Sequence, residues 1–348
     1  MRCWRYYGGR AMHKVQLNQL ELTLAIEPRG PLLIKSGGEG MADPSVPDMA
    51  FVRSAAPGGG PSIVYLPGSS LKGVIRSHCE RIARTLGVPC CDPFDEKSDC
   101  RRETVAEDDP QRQPKIYKRV CPLCRTFGST QIASRVRFAD AFPEPGTIRT
   151  ETRTSVAIDR LTGGSKGGAL FQFEAVIAGR FRAKITLHNY QLWQAGLLAL
   201  ALRDLDAGRL QLGYGTSRGM GHVRAPIIEA RVSYLGLAQG DGAVTGLRTR
   251  GGYRPLLGDK GTIFYGLGGL LDVPERTAYG LGDDRIELSR PVPTQANGLY
   301  VHQQLRAADG SVDPQVLDEF LAACVERWAA FVEERHKERV GEEKGDDG

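Results

Sequence analysis

The sequence predicts an α+β protein, on three observations. Residues 15–26, VQLNQLELTLAI, alternate apolar and polar side chains around Leu20, Leu22, Leu24 and Ile26, the period of a half-buried strand. A second strand, SIVYLP, runs directly into a helix carrying Leu71, Val74, Ile75, Ile82 and Leu86 on one face and stopping at Gly87. Two β-rich arms flank a glycine-loaded loop within residues 150–189, before a second helix, YQLWQAGLLALALRDLDAG. At 348 residues, one elaborated domain suits this mixture.

Taken in order, residues 1–11 read as a disordered extension and VQLNQLELTLAI as a core strand. The segment from Pro28 to Pro61 is rich in Gly, Pro and Ser and too long for an ordinary connection, so it is either functional or disordered. The helix after SIVYLP takes Ser69 or Ser70 as its cap, with Lys72, Arg76, Arg81 and Arg84 around its other sides. Residues 88–129 form a cysteine-rich insertion, and SRVRFADAF is a strand. The arms around GGSKGG form a projecting β-element, with IAGRF as a hairpin turn. In the following helix Leu192, Trp193, Leu197, Leu200 and Leu205 recur at helical spacing, the pattern of a core helix. No chemistry is legible in 225–312, and a last helix starts at Asp313-Pro314 with Leu317, Phe320, Leu321, Cys324, Trp328 and Phe331 on one side. Residues 343–348 read as a disordered tail.

Composition narrows the function. Net charge is +5, from 46 Lys and Arg against 41 Asp and Glu, and 53–84 and 112–137 are basic while the tail is acidic, a segregation that suits a polyanion partner. Only 7% of residues are aromatic, which disfavours a binder working mainly by base stacking. The longest apolar run, LLALAL at 197–202, is far short of a membrane span, and the N-terminal stretch has no apolar signal core, so a cytoplasmic protein with no membrane partner is expected. Nucleotide hydrolysis is excluded by spacing: PGSSLKGV lacks the Gly-Lys-Ser/Thr order of a phosphate loop. GYGTSRGMG is out of register for a dinucleotide fingerprint and ends in a strand. There is no G-x-S-x-G elbow, no H-E-x-x-H and no histidine placed for a triad.

Three constellations remain. Ser69, Ser70 and Lys72 at a helix start, and Ser217 and Arg218 in the glycine loop, combine amides, hydroxyls and positive charge in the way a phosphate needs. CPLC at 121–124 is a C-x-x-C knuckle preceded by Cys90, Cys91 and Cys100, enough for a closed tetrahedral thiolate site for structural zinc. The best ligands are Cys100, Cys121, Cys124 and one of Cys90 or Cys91, with His78 as a substitute and Cys3, Cys79 and Cys324 as bystanders. The long loop offers Glu39, Asp43 and Asp48, carboxylates able to hold a divalent cation such as Mg or to position a hydroxyl.

In their order along the chain, VPDMAFVRS, YLPGSSLKGVIRS, CPLCRTFGS, VRFADAF, TSVAIDRLTGGSKGGALFQFEAV and LGYGTSRGMGHVR resemble the RAMP superfamily, and within it the backbone subunits of type III CRISPR effector complexes. The resemblance covers roughly residues 15–224. It implies a modified ferredoxin-like or RRM-like palm (12–87, 130–149 and 180–224), a zinc-binding insertion (88–129), a β-hairpin thumb (150–179) and an extension (225–342) beyond the family's core. It also implies guide RNA, target RNA, copies of the chain or related subunits, and large and small effector subunits as partners. Ser69, Ser70, Lys72, Arg76, Ile158, Asp159, Arg160, Ser217 and Arg218 would then contact the guide, with GGSKGG as the mobile part of the thumb. In cleaving members a loop aspartate before PGSSLKG is needed to cut target RNA opposite each thumb; Asp48 matches it, with Asp43 as runner-up. The alternatives are a catalytically silent filament or capping subunit and a stand-alone repeat-RNA processing endoribonuclease.

Overall fold

The computed structural model describes residue 12 and residues 14–36, 47–92, 94–95, 98, 100, 105–106, 108–109, 111–305 and 311–345. The expected extension 1–11, Cys3, Glu39, Asp43 and residues 346–348 lie outside the described residues.

The alternating segment near the start forms β1 (Asn18–Pro28), which buries Leu20, Leu22, Leu24 and Ile26 and turns Glu21 and Thr23 the other way. A short hairpin of β2 (Arg53–Ala55) and β3 (Ser62–Val64) leads into α1 (Gly68–Thr85). The insertion contributes α2 (Arg112–Arg119) and α3 (Pro122–Phe127). SRVRFADAF is not one strand but two, β4 (Val136–Phe138) and β5 (Phe142–Pro143), interrupted where Asp140 turns toward α1. The projecting arms are β6 (Arg149–Ile158) and β7 (Ser165–Ala178), which pair only with each other as strands. β8 (Phe181–His188) and α4 (Leu192–Asp206) follow, then β9 (Val223–Arg224) and β10 (Ile227–Leu235).

The large sheet contains β10, β1, β8 and β4 side by side and antiparallel. In chain order α1 follows β1, β4 and β8 come next, and α4 leads to β10, the βαββαβ order of a ferredoxin-like palm. Its apolar face, including Leu22, Ile185 and Val232, lies under the helices; its other face is a lattice of ion pairs in which Glu21 meets Lys184 and Arg231. The palm does not end at 224. β10 pairs with β1 from Asn18 to Leu24 and is the palm's fourth strand, so the first part of the expected extension is core.

The rest of the extension adds a three-stranded sheet, β11 (Leu237–Gln239), β12 (Gly246–Thr249) and β13 (Gly252–Pro255). Next come β14 (Ile263–Tyr265), α5 (Leu267–Leu270), α6 (Val273–Tyr279), β15 (Arg285–Glu287) and the pair β16 (Thr294–Asn297) and β17 (Tyr300–Gln304), which prolongs the large sheet beyond β10. The chain closes with α7 (Pro314–Gly345), which Asp313 caps through the amides of Gln315 and Val316 at 2.9 and 3.2 Å. Residues 343–345, expected in a tail, are its last turn. α7 lies on α4 so closely that a Cβ on Gly196 would stand 2.1 Å from the Cys324 carbonyl oxygen, and Trp193 stacks on Phe331 with ring centroids 4.3 Å apart. No helix among the described residues is long and apolar enough to cross a membrane.

Candidate functional site

The cysteine centre is assembled by short-range rules. Cys121 is the N-cap of α3, with Pro122 at its first position, so the Cys124 amide points back at the Cys121 Sγ at 3.4 Å and the two thiols of the knuckle face one way. Cys100 joins by accepting the Cys121 amide at 3.2 Å, and Cys91 lies 3.5 Å from Cys124 and 3.7 Å from Cys121, sulfur to sulfur. All four sulfurs fall within 4.8 Å of one another. A zinc ion with Zn–S bonds of about 2.3 Å sets tetrahedral sulfurs about 3.8 Å apart, so these side chains fit a closed four-thiolate site with little rearrangement. The neighbouring thiols, Cys100 first among them, hold the Cys121 thiol low, whereas Cys100, facing Cys121, is pushed up to about 12.

Of the two neighbours, Cys91 places its sulfur in the four-sulfur group, and Cys90 lies beside it with its thiol on the Cys91 carbonyl at 3.7 Å. His78 lies outside the four-sulfur group, its ring nitrogens facing Asp204 at 2.8 Å and Arg81 at 3.2 Å. Cys79 and Cys324 are core residues. These four buried or half-buried cysteines could hold a structural metal such as zinc.

The start of α1 differs from expectation. Its N-cap is Pro67, and Ser69 and Ser70 lie inside the first turn rather than capping it. The Gly68 amide donates instead to the Asp140 carboxylate at 2.7 Å, a partner 72 residues away. Gly68 is required here, since a Cβ would come within 2.3 Å of the Phe138 carbonyl oxygen. Ser69 is exposed and Ser70 half-buried, but Lys72 reaches inward to the Ser134 hydroxyl at 2.9 Å, and burial lowers its pKa, helped by the neighbouring Arg76 charge. Arg76 is turned toward the insertion, bonded to Glu80 and to the Gly128 carbonyl.

In the glycine loop, Gly215 and Gly219 adopt left-handed backbone on either side of a short turn, Thr216–Arg218. That turn exposes Ser217 and Arg218, the latter with its guanidinium 4.8 Å over the Tyr214 ring. The loop rests on the segment after β1, through Tyr214 N to Leu33 O and Gly221 N to Pro31 O, both at 2.8 Å. The same segment is stitched to the thumb by reciprocal bonds between Leu32 and Val176, and to residues 50–52 through Ser36 and Ile34.

Asp48 sits within this weave. Its carboxylate accepts the Gln172 amide at 2.7 Å, while Met49 exchanges backbone bonds with Gln172 and Glu174 midway along β7 of the thumb. Glu174, which sequence reasoning missed, fastens the same segment by accepting the Phe51 amide at 3.1 Å and pairing with Arg53. An isolated acid alternating with apolar residues in FQFEAV is the only signal that could have drawn attention to it.

The thumb tip is narrower than expected. Only Gly163 and Gly164 of GGSKGG lie in the turn; Ser165 onward is strand, paired at Ile158. IAGRF is a bend rather than a hairpin turn, because β7 stays with β6 while β8 joins the palm. Asp159 accepts the amides of Leu161 and Thr162 at 2.9 and 3.0 Å, so its carboxylate closes the tip turn. Ile158 is 60%, Leu161 98% and Leu170 69% exposed, with Arg160 also in solvent. Large apolar side chains held in water on a hairpin call for a partner.

The fold is a palm of ferredoxin-like order with an apolar-tipped hairpin and a cysteine-lined insertion. Residues 26–224 match the family model of the RAMP superfamily, and the chain belongs to that superfamily. Membership supports a CRISPR-associated, RNA-binding role. No curated protein matches the chain.

Proposed function

We propose that this chain is a guide-RNA-binding backbone subunit of a type III CRISPR ribonucleoprotein and that it cleaves target RNA opposite its thumb. The observation that carries the reading is the weave itself: the glycine loop with Ser217 and Arg218, the segment bearing Asp48 and the root of the thumb are joined by backbone hydrogen bonds into one surface. Ser69, Ser70, Lys72 and Arg218 supply hydroxyls and charge to the guide backbone, and Ile158, Asp159 and Arg160 flank the tip that parts the guide–target duplex. Asp48 is fixed against the middle of the thumb, where one carboxylate oxygen is taken by the Gln172 amide and the other is left for the target strand. That donor set suits a divalent cation such as Mg, which binds through one or two carboxylates together with substrate phosphate oxygens. The cation would neutralise phosphate charge; Asp48 orients the strand beside it so that the 2′-oxygen, losing its proton to water, attacks the adjacent phosphorus in line and the P–O5′ bond breaks, leaving a 2′,3′-cyclic phosphate and a 5′-hydroxyl that takes up a proton. Zinc is the metal we assign to the cysteines, in a folding role, since four thiolates leave no open position. Guide and target RNA, further copies or related subunits, and the large and small effector subunits are the partners this reading requires.

The test is purification of the assembled complex. A discrete small RNA should accompany the wild type and be lost from Lys72→Glu plus Arg218→Glu, and Asp48→Asn should assemble normally while cutting of a complementary RNA falls at least 100-fold. Cutting retained at the same spaced positions removes Asp48 from the mechanism. A wild-type complex that holds RNA without cutting assigns the silent filament or capping role, and cleavage of repeat RNA by the isolated chain assigns the processing role.

A further inference from the structure

One face of α1 is not accounted for by RNA. Arg76, Glu80 and Arg84 recur at i, i+4 and i+8, a stripe along one side of the helix, and all three turn toward the cysteine insertion. The Arg76 guanidinium uses its Nε on Glu80 at 2.9 Å, one terminal nitrogen on the Gly128 carbonyl at 3.2 Å and the other on the Cys124 Sγ at 3.9 Å. Glu80 pairs at its other oxygen with Arg84 at 3.6 Å, and Arg84 reaches the Cys91 carbonyl at 3.4 Å. Two of the four sulfur-bearing residues are therefore held from α1 as well as from within the insertion.

A zinc ion bound by four thiolates carries a net charge of −2, and a half-buried site must have that charge answered nearby. The guanidinium offers a fixed fork of donors with a charge that proteins do not remove, which suits sulfur and carbonyl acceptors in one plane. The geometry points to Arg76 as the positioning residue of the zinc–thiolate centre, donating to the Cys124 sulfur and answering its charge, rather than as a contact to the guide. Glu80 orients the fork, and Arg84 repeats the arrangement one turn later at Cys91. The helix whose start faces the guide thereby has its middle clamped to the metal insertion.

This inference rests on zinc in the cysteine centre and is independent of whether the chain binds or cuts RNA. Zinc affinity is measured on the full-length protein by competition with a chromophoric chelator. Arg76→Gln should weaken zinc about 10- to 100-fold, the usual consequence of losing a partner that orients a metal ligand. Arg76→Lys, which keeps the charge but not the fork, should weaken it several-fold. The salt dependence of RNA binding supplies the second readout: Arg76→Gln should leave the slope of log K against log salt unchanged, whereas a lost phosphate contact lowers it by about 0.7. Zinc affinity within twofold of wild type in both variants overturns the inference, as does a reduced salt slope with normal zinc binding. A wild-type protein that takes up no zinc overturns the metal reading along with it, and the expected weakening of zinc in the variants of a protein that binds no RNA leaves this inference standing while sinking the RNA one.

Discussion

The insertion and the thumb both depart from the same palm, yet they are built on opposite principles. In the insertion the reactive groups face inward: Cys91, Cys100 and Cys124 are buried, and Arg76 of α1 is drawn in to meet carbonyl and sulfur partners. In the thumb the inside is on the outside, with Ile158, Leu161 and Leu170 in water and burial beginning only at Phe173. A segment that satisfies its own groups is a structural element; one that leaves apolar area exposed on a hairpin awaits a second molecule.

The comparison breaks first at the insertion. Cys124→Ala should cost more than about 4 kcal/mol, the range reached when a metal site is lost, and the wild type treated with a strong chelator should show the same fall in melting temperature. A chelator-insensitive melt would mean that the thiols pack as an ordinary core. The thumb should behave in reverse. Leu161→Ser combined with Leu170→Ser should change stability by no more than about 0.5 kcal/mol by denaturant titration, since neither side chain is buried. The same double variant should lose most of its affinity for a guide–target duplex in the assembled complex; a destabilised monomer with normal duplex affinity would make the thumb a self-contained element after all.

The smallest effect concerns the tip turn. Backbone amides of Thr162 and Leu161 lower the Asp159 pKa below its ordinary value of 3.8. A lowered folded-state value means that the stabilisation is complete above the unfolded pKa and is lost as pH falls through the folded one. Protection of the Leu161 and Thr162 amides, taken as exchange relative to the intrinsic rate at each pH, should therefore be complete at neutral pH and fall only below about pH 4. In Asp159→Asn that acid-dependent loss of protection should vanish; its persistence would assign the turn to another group.

Features set by near neighbours were legible in the sequence. The C-x-x-C spacing, the Asp313-Pro314 helix start and the alternation of β1 each depend on contacts within a turn or a strand, and each stands where the pattern predicts. The choice of Cys91 over Cys90 was not legible, because adjacent residues in extended chain face opposite ways and only the fold says which way the pocket lies. The same holds for Asp140, whose role at Gly68 spans 72 residues, and for Arg76, where a surface-facing arginine and one turned to sulfur look identical in one dimension. The palm's fourth strand carried a readable signal in its β-branched run, IIEARVSYL, but it lies past the last recognisable motif.

The join between thumb and palm has a mechanical meaning. Only Gly179 and Arg180 separate β7 from β8, and β8 is an interior strand bonded to β1 on one side and to β4 and β5 on the other. A sideways push on the tip is thus carried by covalent chain into the stiffest part of the molecule, with the reciprocal Leu32–Val176 bonds as a brace at the fulcrum. The hairpin works as a cantilever with a clamped root: work done at its end is stored as bending along the two strands rather than dissipated in a loose hinge, and its stiffness is set where it enters the sheet.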